Sequence, residues 1–587
     1  MEKPAVFRKV ALGPARVEVR RDAAGGFRLR SPVPLNAYPP RLTERLMHWA
    51  KACPERTFVA KRGRDGDWRR ISYGEALATA RRIGQALLER RLSAERPLMI
   101  LSENDLEHAM LALAALHVGV PFVPVSPAYS LVSQDYGKLR HAVQLMTPGL
   151  VYAAGRQYDK AIAAAVPSAT EVSFDLQRLM NQDTRSVDAA HAAIRPASIS
   201  KFLLTSGSTG LPKAVIHTQQ MLTSNLQMIV DCLPFLAEEP PVLVDWLPWN
   251  HTFGGSHNYG LTLYNGGTLY IDEGKPAPQL INETLRNLRE IAPTVYFNVP
   301  RGFEEIVRAL QADKALARNF FSRVKMLFYA AASLSQPIWD ELHRLAEQTA
   351  GERILMITGL GMTETAPFAI CANWEAGRSG GIGHPGPGTE VRLAPVGEKL
   401  EVRYKGPNVT PGYWRQPDLT RASFDEEGYF RSGDAARFID PADPQKGLAF
   451  DGRIAEDFKL DSGTWVSVGP LRAQIIAAGD PWVQDAVITG HDRREVCALV
   501  IPRPGTPDTP ELRQSLQRLL DALAARSTGG TTRIARAILL GDPLSIDAGE
   551  ITDKGSINQR AVLKARADLV EMLYTEPTAP QVLKAKA

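Results

Sequence analysis

At 587 residues the chain is too long to be organised around one hydrophobic core, and two to four domains are expected. Its 44% apolar and 23% charged composition is that of an ordinary soluble globular protein. The net charge of +5, from 69 basic and 64 acidic residues without long runs, is too mild for a nucleic-acid-binding stripe, although it would suit an anionic cofactor.

Cys53, Cys232, Cys371 and Cys497 lie far apart, with no CxxC spacing and no signal peptide. That argues against a disulfide scaffold or zinc site and makes a reducing cytoplasm the expected location. Residues 1–40 carry alternating patterns, such as Phe27-Arg28-Leu29-Arg30, and predict a small β-rich leader. Ser72-Tyr73-Gly74-Glu75 has capping-box spacing and opens a helix with Leu77, Ala80, Ile83 and Leu87 on one face. Residues 97–101 and 149–153 read as strands. The most apolar window, 109–125, contains His117, Gly119, Pro121 and Pro124, and so predicts a buried helix and a strand rather than a membrane span. This alternation implies a layered α/β domain with largely parallel sheets.

Residues 202–218, FLLTSGSTGLPKAVIHT, place Thr205, Ser206, Gly207, Ser208, Thr209, Gly210 and Lys213 between two apolar runs. Glycines let backbone approach a ligand, hydroxyls donate to oxyanions and the lysine adds positive charge, which together suit a polyphosphate. A Walker loop would need Gly-Lys-Ser/Thr followed by a helix; here Lys213 follows Pro212 and β-type residues come next, predicting strand–loop–strand. A plain linker loop is the competing reading.

A helix over 219–232 and a strand over 268–272 follow. Between them Trp249, His251, Phe253, Gly254 and Gly255 form an aromatic, glycine-bearing turn that suits a flat organic ligand, or else simply core packing. In TGLGMTET (358–365), Thr363 offers a hydroxyl and Glu364 a carboxylate, oxygen groups of the kind that suit an oxyanion and a hard metal ion; a helix cap is the alternative. Residues 381–388 form a glycine–proline turn region. Asp434 in GYFRSGD follows a tight turn and can accept both ribose hydroxyls of a nucleotide. The last 130 or so residues are domain-sized, with helices after Val466 and Thr509, strands near 486–489, 496–501 and 534–540, and a frayed tail over 575–587. The Thr509 helix carries Leu512, Leu516, Leu519 and Leu523.

The order SGSTGLPK, GMTE, SGD, GR and a near-terminal lysine resembles the AMP-forming adenylating enzymes, which include acyl-CoA synthetases, adenylation domains and firefly-type luciferases. That resemblance implies a large multi-layered α/β N-terminal domain, residues 1–452, and a smaller mobile C-terminal α+β domain, residues 453–587. It implies ATP, Mg²⁺ and CoA as cofactors, and a small carboxylic acid as substrate. In a first step the carboxylate attacks the α-phosphorus to give acyl-adenylate and pyrophosphate; in a second, a thiol displaces AMP.

Carried over position by position, the phosphate loop runs from Thr205 to Gly210 with Lys213, and Thr363 and Glu364 act on phosphate and metal. Leu360 replaces the ring that stacks on adenine, Arg453 touches ribose, and Lys459 faces the ligand in the thioester-forming state. Ala331 and Ala332 stand where relatives usually carry glycines beside adenine. Trp249, His251, Phe253 and Gly254 border the acyl pocket. The hinge position falls on Ala455. Near the terminus Ser556 takes the place of the family's lysine if no gap is allowed, and Lys554 lies two residues earlier; Lys554 is taken as the adenylation lysine.

The sequences FKLDSGTWV and ITDKGSINQRAVL look most like the feruloyl-CoA synthase group, which activates hydroxycinnamic acids. Two alternatives remain open: an adenylation unit serving a carrier protein, although no carrier domain follows Lys554, and a non-catalytic nucleotide-binding protein of the same fold. Neither nucleic acid nor a membrane span is expected, and the oligomeric state is open, a homodimer included.

Overall fold

The computed structural model describes every residue except 1–5, 24, 207–209, 278, 553–554 and 587, and of Ser206 only the backbone. The chain folds as a large N-terminal α/β domain followed by a small C-terminal one. In the first layer Ile199–Ser206, Phe122–Val125, Leu98–Leu101, Leu150–Ala153 and Glu171–Ser173 run parallel, and Pro212–Thr218 adds an antiparallel edge strand. Helices read from sequence pack around this layer, and Leu106–Val118 is the crossover between Leu98–Leu101 and Phe122–Val125. Tyr73–Glu89 opens on the Ser72/Glu75 capping box, and Leu106–Val118 is buried all round from His108 onward, in keeping with its apolar run 109–116. Gln219–Cys232 has the expected bounds.

The expectation of largely parallel sheets holds for that layer and for Val242–Asp245, Thr268–Ile271 and Thr57–Arg62, which also pair in parallel, but only in part for the main sheet. An eleven-stranded sheet begins at Val295–Asn298, Met326–Tyr329 and Leu355–Gly361, which are parallel. It then continues antiparallel through Phe368–Cys371, Gly381–Pro385, Leu448–Arg453, Phe430–Phe438, Lys399–Lys405, Glu390–Val396 and the leader strands Phe27–Arg30 and Glu18–Arg21. The leader is thus an edge of the main sheet. The supposed turn region at Gly381 is a strand: a Cβ on Gly383 would come within 1.9 Å of the Cys371 carbonyl oxygen, so glycine serves close strand approach here.

The C-terminal domain is built on Val483–Thr489, Val496–Pro502, Ile534–Leu539 and Val582–Lys584, covered by Val468–Ala478 and Pro510–Ala525. The row of Pro510–Ala525 that packs inward is Leu512, Leu516, Leu520 and Ala524, one step round from the expected stripe. The terminal segment is not frayed. Leu583 pairs with Ala537, and Val582 fills a pocket against Ile538 and Leu573, so an apolar pair at the very end of the chain closes the sheet. Among the described residues all four cysteines are free thiols, and no helix is long and apolar enough to cross a membrane.

Candidate active site

The hairpin Ile199–Ser206/Pro212–Thr218 has two unlike faces. Cross-strand partners Lys201/His217, Leu203/Val215 and Thr205/Lys213 share one face, because directly opposed residues project to the same side. Phe202, Leu204 and Ala214 on the other face belong to the core of the parallel layer. The hairpin is therefore anchored from behind and presents in front a row with a polar pair at each end, separated by Leu203/Val215.

At the loop end of that row sits a three-membered cluster. The Lys213 ammonium donates to the Tyr413 hydroxyl at 2.6 Å and lies 4.1 Å from the centre of its ring. The Tyr413 hydroxyl donates to Glu364 Oε1 at 2.8 Å, and Lys213 Nζ lies 3.3 Å from the same oxygen. Glu364 is 4% exposed through its side chain, so its charge is neutralised by a partner on the spot. Burial first, and then the adjacent Glu364 carboxylate, push the Tyr413 hydroxyl pKa up, which keeps it a donor.

Tyr413 is delivered by backbone pairing: Gly412 accepts from Ile216 N–H and Ala214 accepts from Trp414 N–H, laying the GYW turn along the hairpin's outer strand. The Thr363-Glu364 turn is fixed from two sides. His217 Nε2–H donates to the Thr363 carbonyl at 2.8 Å, and Thr410 N–H donates to the Glu364 carbonyl at 2.8 Å. The helix-cap reading of Thr363 fails, since Thr365 Oγ1 is the group that accepts from Met362 N–H.

Asp434 and Arg453 face each other across Phe430–Phe438 and Leu448–Arg453, with Arg453 Nε 3.5 Å from the carboxylate. Burial pushes the Asp434 carboxyl up to about 6; Arg453 opposes that, while Glu456 and Glu364 add to it. Thr205 Oγ1, on the face shared with Lys213, is buried without a hydrogen-bond partner among the described residues. An orphaned hydroxyl beside a lysine and a carboxylate fits an oxyanion and its counter-ion.

Gly207, Ser208, Thr209 and Lys554 lie outside the described residues. The segment leading to Lys554 is nevertheless located: Ile546 accepts from Lys138 Nζ at 2.5 Å and Asp547 accepts from Gln134 N–H at 2.9 Å. Lys138 belongs to Gly137–Met146, whose His141 contacts the Pro212 carbonyl at 2.9 Å, beside Lys213. Lys459, by contrast, is exposed and stacks over Trp465, 5.1 Å from the ring centre. Ala455 at the expected hinge has its carbonyl held by Arg560 at 2.7 Å.

Leu360 is half-buried and packs into the core around Ile370 and Val391. Ala331 and Ala332 are exposed, as a backbone ledge requires, and Ala331 has φ +73°, the left-handed conformation that favours glycine. Ala331→Gly is therefore expected to relieve about 1 kcal/mol of backbone strain, visible as a higher melting temperature.

The aromatic turn differs most from expectation. Phe253–Asn258 is a π-helix, the kind of bulge common at functional sites. It forms because Gly254 and Gly255 carry no Cβ, which would come within 2.2 Å of the Leu247 carbonyl oxygen and 2.1 Å of the Trp249 carbonyl oxygen. The rings also divide into two groups. Trp249 packs on His108 and Tyr259, whereas Phe253 packs with His257, Phe297 and Phe328. His251, half-buried between them, caps the start of the bulge: its Nδ1 accepts from Phe253 N–H at 3.3 Å.

Residues 46–414 match the model of the AMP-binding enzyme family, and residues 459–578 match that of the AMP-binding enzyme C-terminal domain. The chain belongs to the AMP-binding enzyme family. A carboxylic acid reductase of Segniliparus rugosus is 23% identical over 86% of this chain and 46% of its own length. A long-chain-fatty-acid–CoA ligase of Mycobacterium bovis is 23% identical over 87% of this chain and 93% of its own. The chain spans 46% to 66% of the length of the first several curated relatives it matches. Among solved structures, ATP-bound MatB from Rhodopseudomonas palustris superposes with TM-score 0.67 at 23% identity, covering 90% of this chain and 99% of that one.

Tyr413 and His217 were not singled out by sequence reasoning. Nothing in the sequence around Tyr413, NVTPGYWRQ (408–416), indicates that its ring crosses to Glu364. His217 had no signal beyond the alternation of its strand.

Proposed function

We propose that the protein activates a carboxylic acid with ATP, forming an acyl-adenylate and pyrophosphate, and then transfers the acyl group to the thiol of CoA with release of AMP. The observation that carries this is the cluster of Lys213, Tyr413 and the buried Glu364 at the end of the hairpin, with the Asp434–Arg453 pair feeling the Glu364 charge. Carboxylate is a poor nucleophile and attack on the α-phosphorus crowds negative charge, so the work is electrostatic.

Mg²⁺ would supply charge neutralisation on the phosphates, held by Glu364 and otherwise by phosphate oxygens. No group of three His, Cys, Asp or Glu side chains suited to a metal exists among the described residues. Lys213, the Thr205 hydroxyl and Thr363 orient the triphosphate, Asp434 accepts from the ribose, and Arg453 lies beside it. Lys554 supplies the second cation for adenylation; docking of Ile546 and Asp547 near the phosphate hairpin supports that role, while the outward Lys459 fits a part played after domain rotation. The domain border falls at residues 452/453, just before Ala455.

Within this class, the acid assigned is ferulate or a related hydroxycinnamate, on the strength of FKLDSGTWV and ITDKGSINQRAVL. The test is a panel of ferulate, coumarate, caffeate, benzoate and octanoate with ATP, Mg²⁺ and CoA, followed by thioester absorbance and AMP release. A hydroxycinnamate should be turned over fastest. Preference for octanoate would overturn the acid assigned, thioester formation only with a carrier protein would overturn CoA, and absence of AMP with every acid would overturn the enzymatic reading. Lys554→Ala is expected to abolish adenylation while sparing thiolysis of supplied acyl-adenylate; retained adenylation would remove Lys554 from its role.

A further inference from the structure

The far end of the hairpin's front row leads into the interior. Lys201 is 3% exposed, its ammonium donates to the Gly255 carbonyl at 3.0 Å, and it has no ion-pair partner among the described residues. It lines an internal cavity of about 20 Å³ together with His108, Phe122, Trp249, Ser256 and Tyr259, and no carboxylate lines that cavity. Burying an ammonium without a counter-charge is costly, and a chain that retains one generally uses it.

Lys201 has two further N–H donors beyond the one given to Gly255. Trp249 Nε1–H, on a side chain 4% exposed, and Ser256 Oγ, on one 3% exposed, are both buried without a hydrogen-bond partner. His108 uses Nδ1–H on the Glu103 carbonyl, and the Tyr259 hydroxyl is spent on the Ala109 carbonyl. Trp249 Nε1–H and Ser256 Oγ thus remain unpaired in the lining that also holds the Lys201 ammonium, while His108, with Nδ1–H donating, keeps Nε2 as an acceptor. A space of about 20 Å³ holds roughly one water-sized group, and an oxygen able to accept from Lys201 and Trp249 suits it.

The cavity also stands in a defined relation to the phosphate end. Lys201 and Thr205 lie on the same strand face four residues apart, about 13 Å at roughly 3.3 Å per residue. The cavity shares Trp249 and Gly255 with the segment that opens the π-helix.

We infer that Lys201, Ser256 and Trp249 form a polar subsite at the distal end of the acid-binding site, taking an acceptor oxygen carried by the acid at the end opposite its reacting carboxylate. This rests on the acid-adenylating function proposed above and narrows its substrate class to acids with a distal phenol, phenolate or second carboxylate. The ammonium and the two neutral donors hold that oxygen, and the apolar remainder of the cavity wall excludes water around it. Burial brings the Lys201 ammonium down to about 7, so the group is poised to sharpen its charge when an oxyanion arrives.

The test compares paired acids in ATP–pyrophosphate exchange: 4-coumarate against cinnamate for a phenol oxygen, suberate against octanoate for a second carboxylate. Wild type should favour the oxygen-bearing member of one pair at least tenfold in kcat/KM, and which pair it is identifies the source of the oxygen. In Lys201→Met that ratio should fall to within about threefold of unity, the loss of a charged hydrogen bond being worth roughly 10- to 100-fold; Ser256→Ala should lower it by a smaller factor. A wild-type ratio near unity in both pairs, or an equal fall for both members in Lys201→Met, overturns the subsite while leaving the adenylation reading standing. If no acid supports exchange, calorimetric binding of 4-coumarate and suberate to wild type and to both variants in the presence of ATP decides the matter. Undetectable or variant-insensitive binding overturns the subsite.

Discussion

Replacing Glu364 with glutamine is expected to cut acid-dependent ATP–pyrophosphate exchange by about 10³-fold, at the upper end of losses seen when one preorganised charge-stabilising group is removed. The substitution keeps the volume of the buried side chain and an oxygen able to accept from Tyr413. What disappears is the charge that balances Lys213 and, in the proposed reaction, the anionic ligand for the metal on the phosphates. The loss should be in kcat rather than in the KM for the acid, because the carboxylate acts on the triphosphate. A fall of less than about tenfold in exchange, measured on folded protein, would take Glu364 out of the reaction.

Asp434→Asn should act differently. In the proposed role, accepting from two ribose hydroxyls, the carboxylate would contribute charged hydrogen bonds, and its loss is expected to raise the KM for ATP by about 30- to 100-fold with a smaller change in kcat. The same substitution should stabilise the protein. In the folded state burial holds the Asp434 carboxyl at about 6, above the ordinary aspartate value of 3.8, so the folded chain binds this proton more tightly than the unfolded one. The stabilisation this gives is fully present below about pH 3.8 and is lost as pH rises through about 6, leaving a cost on the order of 2–3 kcal/mol at neutral pH. A neutral amide at this position escapes that cost. The variant should therefore melt above wild type at pH 8, with the gap narrowing towards pH 5; a gap that widens on acidification would contradict the assignment.

What was legible in the sequence follows from how local each signal is. The Ser72 capping box, the apolar helix before Val118, the bounds of Gln219–Cys232 and the strand–loop–strand character around Lys213 depend on neighbours within a few residues, and all were read correctly. The stretch from Thr205 to Gly210 stands out in the sequence because glycine and hydroxyl groups at that density have few other uses. The misses are long-range. Val582–Lys584 becomes a strand only because Ile534–Leu539 offers it an edge some fifty residues earlier. Phe253–Asn258 winds as a π-helix only because two carbonyls from the preceding turn lie where Cβ atoms would otherwise stand. Tyr413 reaches Glu364 across 49 residues of sequence, and Lys201 acquires its meaning from an α-helix, a turn and a strand contributed by distant segments.

The pairing of Gly412–Trp414 along Pro212–Thr218 has a further outcome. That strand is the margin of the six-stranded layer, and left bare its amides and carbonyls would offer a template on which a foreign chain could extend the sheet. The turn that carries Tyr413 to its partner also occupies this margin, so the protein guards itself against self-association with the same few residues that build its reaction centre. Substitutions that loosen the turn should consequently be met first as insolubility on expression and only afterwards as slow turnover.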